Sequence, residues 1–321
     1  MVSAAVQKTS LRELAWLFLK LGTIAFGGPA AHIAMMEEEV VRRRKWLTPD
    51  KFLDLLGATN LIPGPNSTEL AIHIGFERGG WPGLIVAGVC FILPASIIVT
   101  IIAWAYVTYG KLPEVGFILY GIKPVIIAIV VQALWGLAKT AVKTKLIAGV
   151  GIVVLVLSFL HINELALLFA AGVFLLLSHF IKHRSAANSK LFLPFGLLFQ
   201  TAPAAGVATF SLWAMFLFFL KVGSVLFGSG YVLLAFLRGD LVERYGWLTN
   251  EQLLDAIAVG QITPGPVFTT ATFIGYVLGG GSGAVLGTVG IFLPAFVFVA
   301  LSGWLIPRFA SRPRWGRSLT V

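Results

Sequence analysis

Residues 52–76 read FLDLLGATNLIPGPNSTELAIHIGF, an apolar segment interrupted in its middle by Pro63-Gly64-Pro65. A second apolar segment, 252–278, is interrupted in the same way by Pro264-Gly265-Pro266. Proline removes a helix hydrogen bond and disfavours helical geometry in the residue before it, so each triplet predicts a helix break. Within a membrane such a break is tolerated only where protein or a cavity covers the freed backbone groups.

The composition places these segments in lipid. Of 321 residues, 58% are hydrophobic and 12% are charged, whereas soluble domains carry about 25% charged residues. Apolar stretches of this length cross a bilayer only as helices. The sequence therefore predicts an all-α polytopic membrane protein. Its apolar segments are 11–36, 52–76, 84–109, 117–138, 146–160, 164–181, 206–237, 252–278 and 284–306.

The charges exclude several classes of function. The net charge is +10, but the basic residues lie between apolar segments, where the positive-inside rule places them. We therefore expect a lipid bilayer and no nucleic acid as partner. The single Cys90 excludes a disulfide framework and a dithiol for redox chemistry. The chain has no P-loop, GxSxG or HExxH motif, so we expect no enzyme activity, cofactor or metal.

The chain contains an internal repeat. Residues 20–65 and 221–266 are identical at 15 of 46 positions when the chain is shifted by 201 residues. Shared apolar composition would not align tryptophan, lysine, aspartate and both Pro-Gly-Pro triplets. We therefore predict a first repeat with extra helices (1–182), a linker (183–205) and a second, shortened repeat (206–321).

The orientation of the halves depends on segment 52–76, which either crosses the membrane or forms a re-entrant hairpin. The re-entrant form places more of the basic loops on one side and predicts inverted repeats. Lys8 and Arg12 argue mildly against it.

Several motifs in chain order resemble those of the chromate ion transporter family in its two-domain form. They are Lys20-Leu-Gly-x-x-x-Phe-Gly-Gly-Pro-Ala-Ala-His32, Arg44-Lys-Trp-Leu47, Leu61-Ile-Pro-Gly-Pro-Asn-Ser-Thr68 and Phe91-Ile-Leu-Pro-Ala95. The resemblance implies a multi-pass secondary transporter of the bacterial inner membrane. It also implies export of chromate, with resistance to chromate as the result and sulfate as the similar anion.

The second half departs from the family pattern, because it lacks counterparts of segments 117–138, 146–160 and 164–181. A naturally short form, a frameshifted end and a truncated product are open readings. Two alternatives also remain open for the function: transport of another oxyanion such as sulfate, and a truncated membrane subunit that depends on a partner. The oligomeric state is open as well, with a homodimer as one form.

Paired helix breaks in two repeats indicate a transporter binding site near the midplane. Asn66, Ser67 and Thr68 are helix-capping residue types, and free amides at a helix start favour an anion. The second copy offers Thr269 and Thr270. The alternative is that the triplets only kink packed helices and the hydroxyls bond to the backbone.

Further candidates flank the breaks. Lys20 and Lys221 occupy matching positions and could supply counter-charge to a dianion, or extend to the lipid headgroups. Backbone at Gly27, Gly28, Gly228 and Ser229 lacks large side chains, which suits either anion contact or close helix packing.

Two ionisable residues are candidates for proton coupling. Glu69 stands one turn before His73, and a threonine replaces it in the second half. His32 aligns with Leu233. A salt-bridged Glu69 and a hydrogen-bonded structural His32 are the alternatives.

Overall fold

A computed structural model describes residues 9–109, 135, 142–159, 167, 170–176, 178, 210–228, 233 and 236–310. Most of these are helical, which confirms the predicted all-α fold class. By its internal contacts the chain divides into residues 1–126 with 207–321, and residues 127–206. The predicted linker 183–205 lies outside the described residues.

The helices of the two halves begin at corresponding positions. In the first half the elements are α1 (Leu11–Ile24), α2 (Gly28–Glu37), a π-helical turn (Glu38–Arg43), α3 (Pro49–Thr59), β1 (Gly64–Pro65) and α4 (Asn66–Tyr109). The unit at 127–206 contributes α5 (Lys145–Phe159). In the second half they are α6 (Leu212–Val225), β2 (Phe227–Gly228), a π-helical turn (Arg238–Arg244), α7 (Asn250–Ile262), a 3-10 turn (Val267–Thr269) and α8 (Thr270–Ala310).

Equivalent hydroxyl caps explain why the helices start where they do. Ser10 and Ser211 each accept a hydrogen bond from the amide three residues on, at the starts of α1 and α6. Thr48 and Thr249 do the same at the starts of α3 and α7. Each cap accepts a hydrogen bond from an amide that the first helical turn leaves free. Because the capping residues recur 201 residues apart, the helices they cap also begin 201 residues apart.

The apolar segment 11–36 is not one helix, as its composition alone suggests. α1 ends at Ile24, and Gly27 and Gly28 take φ angles of 101° and 75° before the chain continues as α2. Glycine adopts these angles at little steric cost. Segment 206–237 breaks likewise, because α6 ends at Val225 and β2 follows. Hydrophobicity indicates burial in lipid or protein, but not that a helix is continuous.

α4 and α8 are each folded back on themselves. A straight helix of 44 residues would be about 66 Å long, roughly twice the hydrocarbon core. α4 instead turns at Gly80, where φ is 62° and ψ is −150°. A Cβ built on Gly75 would contact the carbonyl oxygen of Gly83, so the stretches on either side of the turn pack closely. We call residues 66–79 and 81–109 the short and long limbs of α4.

α8 repeats this arrangement. Its non-helical residues are Gly279 and Gly280, with φ at Gly280 equal to 61°. A Cβ on Gly275 would contact the carbonyl oxygen of Gly283. Residues 270–278 and 281–310 are therefore the short and long limbs of α8.

The two long limbs run in opposite directions. Leu84, near the start of the first long limb, clusters with Val299, which lies well along the second. A Cβ on Gly88, one turn after Leu84, would touch the ring of Phe296. The contact therefore moves back along the second limb as it moves forward along the first.

Large apolar side chains are exposed every fourth residue on both long limbs. They are Ile85, Val89, Leu93, Ile97 and Ile101 on the first, and Val285, Val289, Leu293, Val297 and Leu301 on the second. Two described stretches, Asn66–Tyr109 and Val267–Ser302, are long and apolar enough to cross a membrane. These stripes have the composition of a lipid-facing surface.

α1 and α6 pack tightly against the long limbs. A Cβ on Gly22 would contact the carbonyl oxygen of Phe91, and a Cβ on Gly223 would contact that of Ile291. Phe18 and Phe91 are buried in the same apolar cluster. Glycine at these two positions allows helix backbones to touch, as is common between membrane helices.

Candidate functional site

Both Pro-Gly-Pro triplets break the helical path as predicted. After Pro63, Gly64 and Pro65 form β1, and α4 begins at Asn66. After Pro264, Gly265 and Pro266 are non-helical, and the chain resumes as a 3-10 turn at Val267. Gly64 has a φ of 142° and Gly265 a φ of 85°. Positive φ is strained for other residue types, so glycine is needed between the prolines.

Each break is held by the opposite half of the chain. The amide of Gly64 donates to the carbonyl of Leu226 at 2.7 Å, and the amide of Gly265 donates to that of Ala25 at 2.9 Å. Ala25 and Leu226 are themselves 201 residues apart. β1 pairs with β2 in parallel, with Gly64 opposite Phe227. We call Phe26-Gly27 and Phe227-Gly228 the Phe-Gly segments. The carbonyl directly before each segment therefore accepts the glycine amide that the helix break in the other half leaves without a helical partner.

We call the place where the two breaks meet Ala25 and Leu226 the crossing. The motifs Leu93-Pro94-Ala95 and Leu293-Pro294-Ala295 pack against it from the long limbs. A Cβ on Gly265 would lie 2.7 Å from the Cβ of Ala95 and 3.0 Å from the carbonyl oxygen of Gly22. A Cβ on Gly64 would lie 3.6 Å from the Cβ of Ala295 and would also meet the carboxylate of Glu69. Both breaks are thus enclosed by protein, as the cost of unpaired backbone in lipid requires.

The start of α4 carries polar side chains that are buried. Ser67 is 2% exposed and Thr68 is fully buried. The side-chain amide of Asn66 donates to the side-chain oxygen of Asn60 at 2.8 Å. The side-chain oxygen of Asn66 and the hydroxyl of Thr68 have no hydrogen-bond partner among the described residues. Buried polar atoms normally have partners. Of these two atoms only the Thr68 hydroxyl can donate to an anion, because the Asn66 oxygen is an acceptor.

The second break differs at the corresponding place. The hydroxyl of Thr269 donates to the carbonyl of Pro266, and that of Thr270 donates to the carbonyl of Val267, both at 2.8 Å. Their hydroxyls therefore bond to the chain of the break itself. These two residues lie where the sequence predicts a binding site, but their hydroxyl protons are already donated.

Lys20 and Lys221 occupy equivalent ion pairs. Lys20 lies 3.0 Å from Glu39, and Lys221 lies 3.4 Å from Asp240, each in the π-helical turn of its own half. Arg44 also approaches Glu39, at 3.3 Å. Burial alone would raise the pKa of Glu39, but the hydrogen bonds and charges of Lys20 and Arg44 outweigh it and hold the pKa below its usual value. The pairs give both lysines a local structural partner, and counter-charge to a substrate stays a prediction.

His32 lies between the two breaks. Its Nε2 donates to the carbonyl of Ala25 at 3.0 Å, the same carbonyl that receives the amide of Gly265. Its Nδ1 lies 3.3 Å from the hydroxyl of Ser67 at the start of α4. The ring also packs edge-on against Phe91. His32 therefore connects both breaks, and each ring nitrogen has a partner.

The predicted residues in and directly after the Phe-Gly segments are only partly described. Gly27 is exposed, and a Cβ on Gly28 would meet nothing within 4 Å. Gly228 forms part of β2. Ser229 lies outside the described residues. No described residue packs against Gly28, and contact of these glycines with an anion stays a prediction.

Glu69 and His73 are buried one turn apart on the short limb of α4, at 0% and 2% exposure. Nε2 of His73 lies 3.4 Å from the hydroxyl of Ser302 on the long limb of α8. No pattern in the sequence indicates this contact, since positions 73 and 302 are not related by the repeat. A second contact of this kind joins the hydroxyl of Tyr106 to Asp255 at 3.0 Å. Only the matched Asp54 and Asp255 in the repeat hinted at it.

A cavity of about 490 Å³ lies between the long limbs. Its lining is almost wholly apolar and includes Ile92, Phe292 and Phe296, with the hydroxyl-bearing Ser96 and Thr288. A dianion requires donors or cations in place of its water, so this cavity does not suit an oxyanion.

Comparison with known proteins adds to this geometry. Residues 12–176 and 213–321 match the family model described as chromate transporter. A probable chromate transport protein of Synechococcus elongatus is 32% identical over 312 residues, which cover 95% of this chain and 79% of that protein. A chromate transport protein of Cupriavidus metallidurans is also 32% identical, over 95% of this chain and 77% of its own length.

A more distant relative is an uncharacterized transporter of Methanocaldococcus jannaschii, 28% identical over 92% of this chain and 75% of that protein. No solved structure matches the chain. The named relatives are transport proteins, which agrees with the expectation of a transporter rather than an enzyme. With the family model covering most of its length, this membrane protein belongs to the chromate transporter family.

Proposed function

We propose that this chain is a secondary transporter of the bacterial inner membrane that exports chromate and so confers resistance to it. The names of its relatives supply the substrate class. The broken helix starts, set in matching halves, supply a place to bind it.

The observation that carries the proposal is the start of α4. The hydroxyl of Thr68 is buried and has no partner among the described residues. The amides in the first turn of a helix also have no partner within the helix. Chromate is a tetrahedral dianion that needs several N–H and O–H donors in place of water. A helix start with buried hydroxyl donors meets that need.

The architecture favours alternating access by inverted halves. The long limbs of α4 and α8 are equivalent by sequence and pack antiparallel, as their contacts at Leu84 and Gly88 indicate. Equivalent helices that run in opposite directions are expected when the halves have opposite orientations in the membrane. Rocking of one half against the other would then open the crossing to alternate sides.

The membrane potential suits export of a dianion. With the cytoplasm negative, each negative charge that leaves releases about 2.3 kcal/mol per 100 mV. Chromate with two charges therefore moves outward downhill even against a moderate concentration gradient. This is the electrical part of the proton-motive force, so an uncoupler that collapses the potential should stop transport.

The direct test uses the purified chain in liposomes, with an imposed potassium diffusion potential. With equal chromate concentrations on both sides, we expect chromate to leave the negative compartment, and we expect no net movement when the potential is collapsed. No movement with correctly inserted protein would contradict self-sufficient export and favour a partner-dependent subunit. Equal inhibition by sulfate and unlabelled chromate would indicate a general oxyanion transporter instead of a selective one.

A matched pair of substitutions tests the site. Thr68→Ala should lower chromate transport by roughly tenfold to a hundredfold, because one hydrogen bond to a charged group is worth roughly 1.5–3 kcal/mol. Thr269→Ala removes a hydroxyl that already bonds to Pro266. It should therefore lower thermal stability and leave the affinity for chromate near wild type. Equal transport defects in both variants would remove the first break as the preferred site.

A further inference from the structure

Glu69 is the ionisable group buried deepest at the start of α4. Its exposure is 0%, and neither carboxyl oxygen has a hydrogen-bond partner among the described residues. One oxygen lies against the backbone of Gly64 in the first break. The side chain is therefore in the first turn of the helix, next to Thr68, whose hydroxyl is also buried without a described partner.

The elements packed around Glu69 bring few charges to it. On its own helix the next titratable group is His73, which contacts Ser302 of α8. From α2, His32 reaches the neighbouring Ser67. The charge of Lys51, in α3, acts at His73. From α8, the group facing Gly64 is the methyl of Ala295. None of these contacts is an ion pair to the carboxyl group.

A carboxylate that is ionised and buried without a partner is strongly unfavourable, so the arrangement described here holds the acid form. An ionised Glu69 would also repel a dianion bound at the same helix turn, and this repulsion is strong where water is excluded. The acid form has an O–H that can donate to the anion. The two forms of one side chain would thus have opposite effects on an oxyanion.

We propose that the oxyanion binds at the start of α4 only when Glu69 carries a proton, so that one proton and one anion occupy the site together. This inference rests on the proposed anion site. It adds a proton to the transported charge. Export of chromate with its proton then carries one net negative charge outward, which the inside-negative potential still drives.

The second half has no carboxyl group at the corresponding position. A threonine takes the place of Glu69, and its hydroxyl is bonded within the break. A hydroxyl does not ionise in this pH range, so the second break has no such proton switch. Among the described residues, Glu69 is therefore the one titratable carboxyl group in the helix turns that follow the two breaks.

The test measures the affinity for radiolabelled chromate at equilibrium on purified full-length protein, from mildly acidic to mildly alkaline pH. The wild type and Glu69→Gln are compared as a ratio at each pH, because chromate itself takes up a proton near neutral pH and this cancels in the ratio. Glutamine imitates the protonated acid. We expect the wild type to lose affinity relative to Glu69→Gln by about tenfold per pH unit once Glu69 ionises.

Two further variants secure the result. Glu69→Thr copies the second half and should also lack the pH-dependent loss, which covers the case in which glutamine folds poorly. Glu77→Gln removes another carboxylate of the same helix, one that pairs with Lys51 at 3.2 Å, and should keep the wild-type pH dependence.

The outcomes separate this inference from the proposed function. A ratio that stays constant with pH would overturn the inference, as would a folded Glu69→Gln protein that binds no chromate at any pH. A wild type that binds no chromate at all would instead contradict the proposed function.

Discussion

The two Pro-Gly-Pro breaks have the same backbone contacts but different side-chain chemistry. Gly64 and Gly265 each donate to the carbonyl directly before the Phe-Gly segment of the other half. Beyond that crossing, the first break carries Glu69 and Thr68 without described partners, whereas the second carries threonines bonded to its own carbonyls. The two breaks therefore share their backbone hydrogen bonds, but the buried polar atoms without described partners lie at the first break.

Side-chain length accounts for the difference at one of the two positions, Glu69 against Thr270, but not for that between Thr68 and Thr269, which have the same side chain. A threonine hydroxyl in the first turn of a helix reaches a carbonyl three residues earlier and closes the break locally. A glutamate places its charge further out and cannot donate once ionised. The second break is thus closed by its own hydrogen bonds, while the first break retains polar atoms that can bind a ligand.

The largest effect is expected from alanine at the glycine of each break. Gly265→Ala forces a Cβ against Ala95 and the backbone of Gly22, at a residue with positive φ. Backbone strain and overpacking together should lower the free energy of unfolding by about 2–5 kcal/mol. Thermal unfolding in detergent would measure the loss, with membrane abundance as a second readout.

Gly64→Ala sharpens this contrast, because its Cβ would meet the side chain of Glu69 rather than backbone. We expect a smaller loss, part of which is recovered in the double variant with Glu69→Thr. Gly265→Ala should gain nothing from Glu69→Thr. Recovery of both glycine variants to the same extent would show that the two breaks are not packed as described.

The next effect concerns the lysines. Lys221→Ala leaves Asp240 with Arg244, at 3.7 Å, as its remaining charged partner. The variant should lose about 1–3 kcal/mol of stability, with reduced transport as a consequence. If Lys221 acts only through this pair, adding Asp240→Asn should restore transport. Transport that stays low in a stable double variant would favour a direct contact between Lys221 and the anion.

A smaller, pH-dependent effect is expected at Glu39. Because its pKa is lowered in the folded protein, the ionised form contributes stability above the unfolded pKa of about 4.3. That contribution is lost as the pH falls through the lower folded value. Glu39→Gln should be less stable than wild type by about 1–2 kcal/mol at neutral pH. Melting curves should converge in acid, and a gap that is constant with pH would contradict the ionic origin.

The smallest effect compares Lys45 with Gly246, which stand 201 residues apart in the same turn. Lys45 has a φ of 53° and Gly246 a φ of 63°. Lysine is strained at this angle, so Lys45→Gly should stabilise the first half by about 0.5–1 kcal/mol. Gly246→Lys should destabilise by a similar amount. If Lys45→Gly instead lowers the melting temperature, the contacts of the Lys45 side chain outweigh its backbone strain.

Much of the fold was predictable because it depends on local chemistry. Proline placed both helix breaks, hydrophobicity predicted a helical membrane protein, and Ser and Thr caps recur at the matching helix starts. The break within segment 11–36 was not predicted, since an apolar composition does not reveal that Gly27 takes a positive φ. The predicted domain limits at 182 and 206 lie outside the described residues.

The candidate site was predictable only in part. The helix start at Asn66, Ser67 and Thr68 could be named from the triplet and the capping residue types. The ion pairs Lys20–Glu39 and Lys221–Asp240 were not predicted. The sequence did contain a signal, because an acidic residue stands 19 positions after the lysine in both halves. The contact between His73 and Ser302 joins residues 229 positions apart and has no local signal.

The sequence by itself determined where the helices break and that the breaks come in pairs. These follow from the covalent geometry of single residues and their immediate neighbours. Only the tertiary structure decided that each break is completed by the other half, that the second half's threonines are already bonded, and that Glu69 is buried without a described partner. The physical reason is that burial and the partners of the break amides depend on residues in the other half of the chain, which no local pattern specifies. The threonine bonds are local, but they depend on the backbone conformation after Pro266.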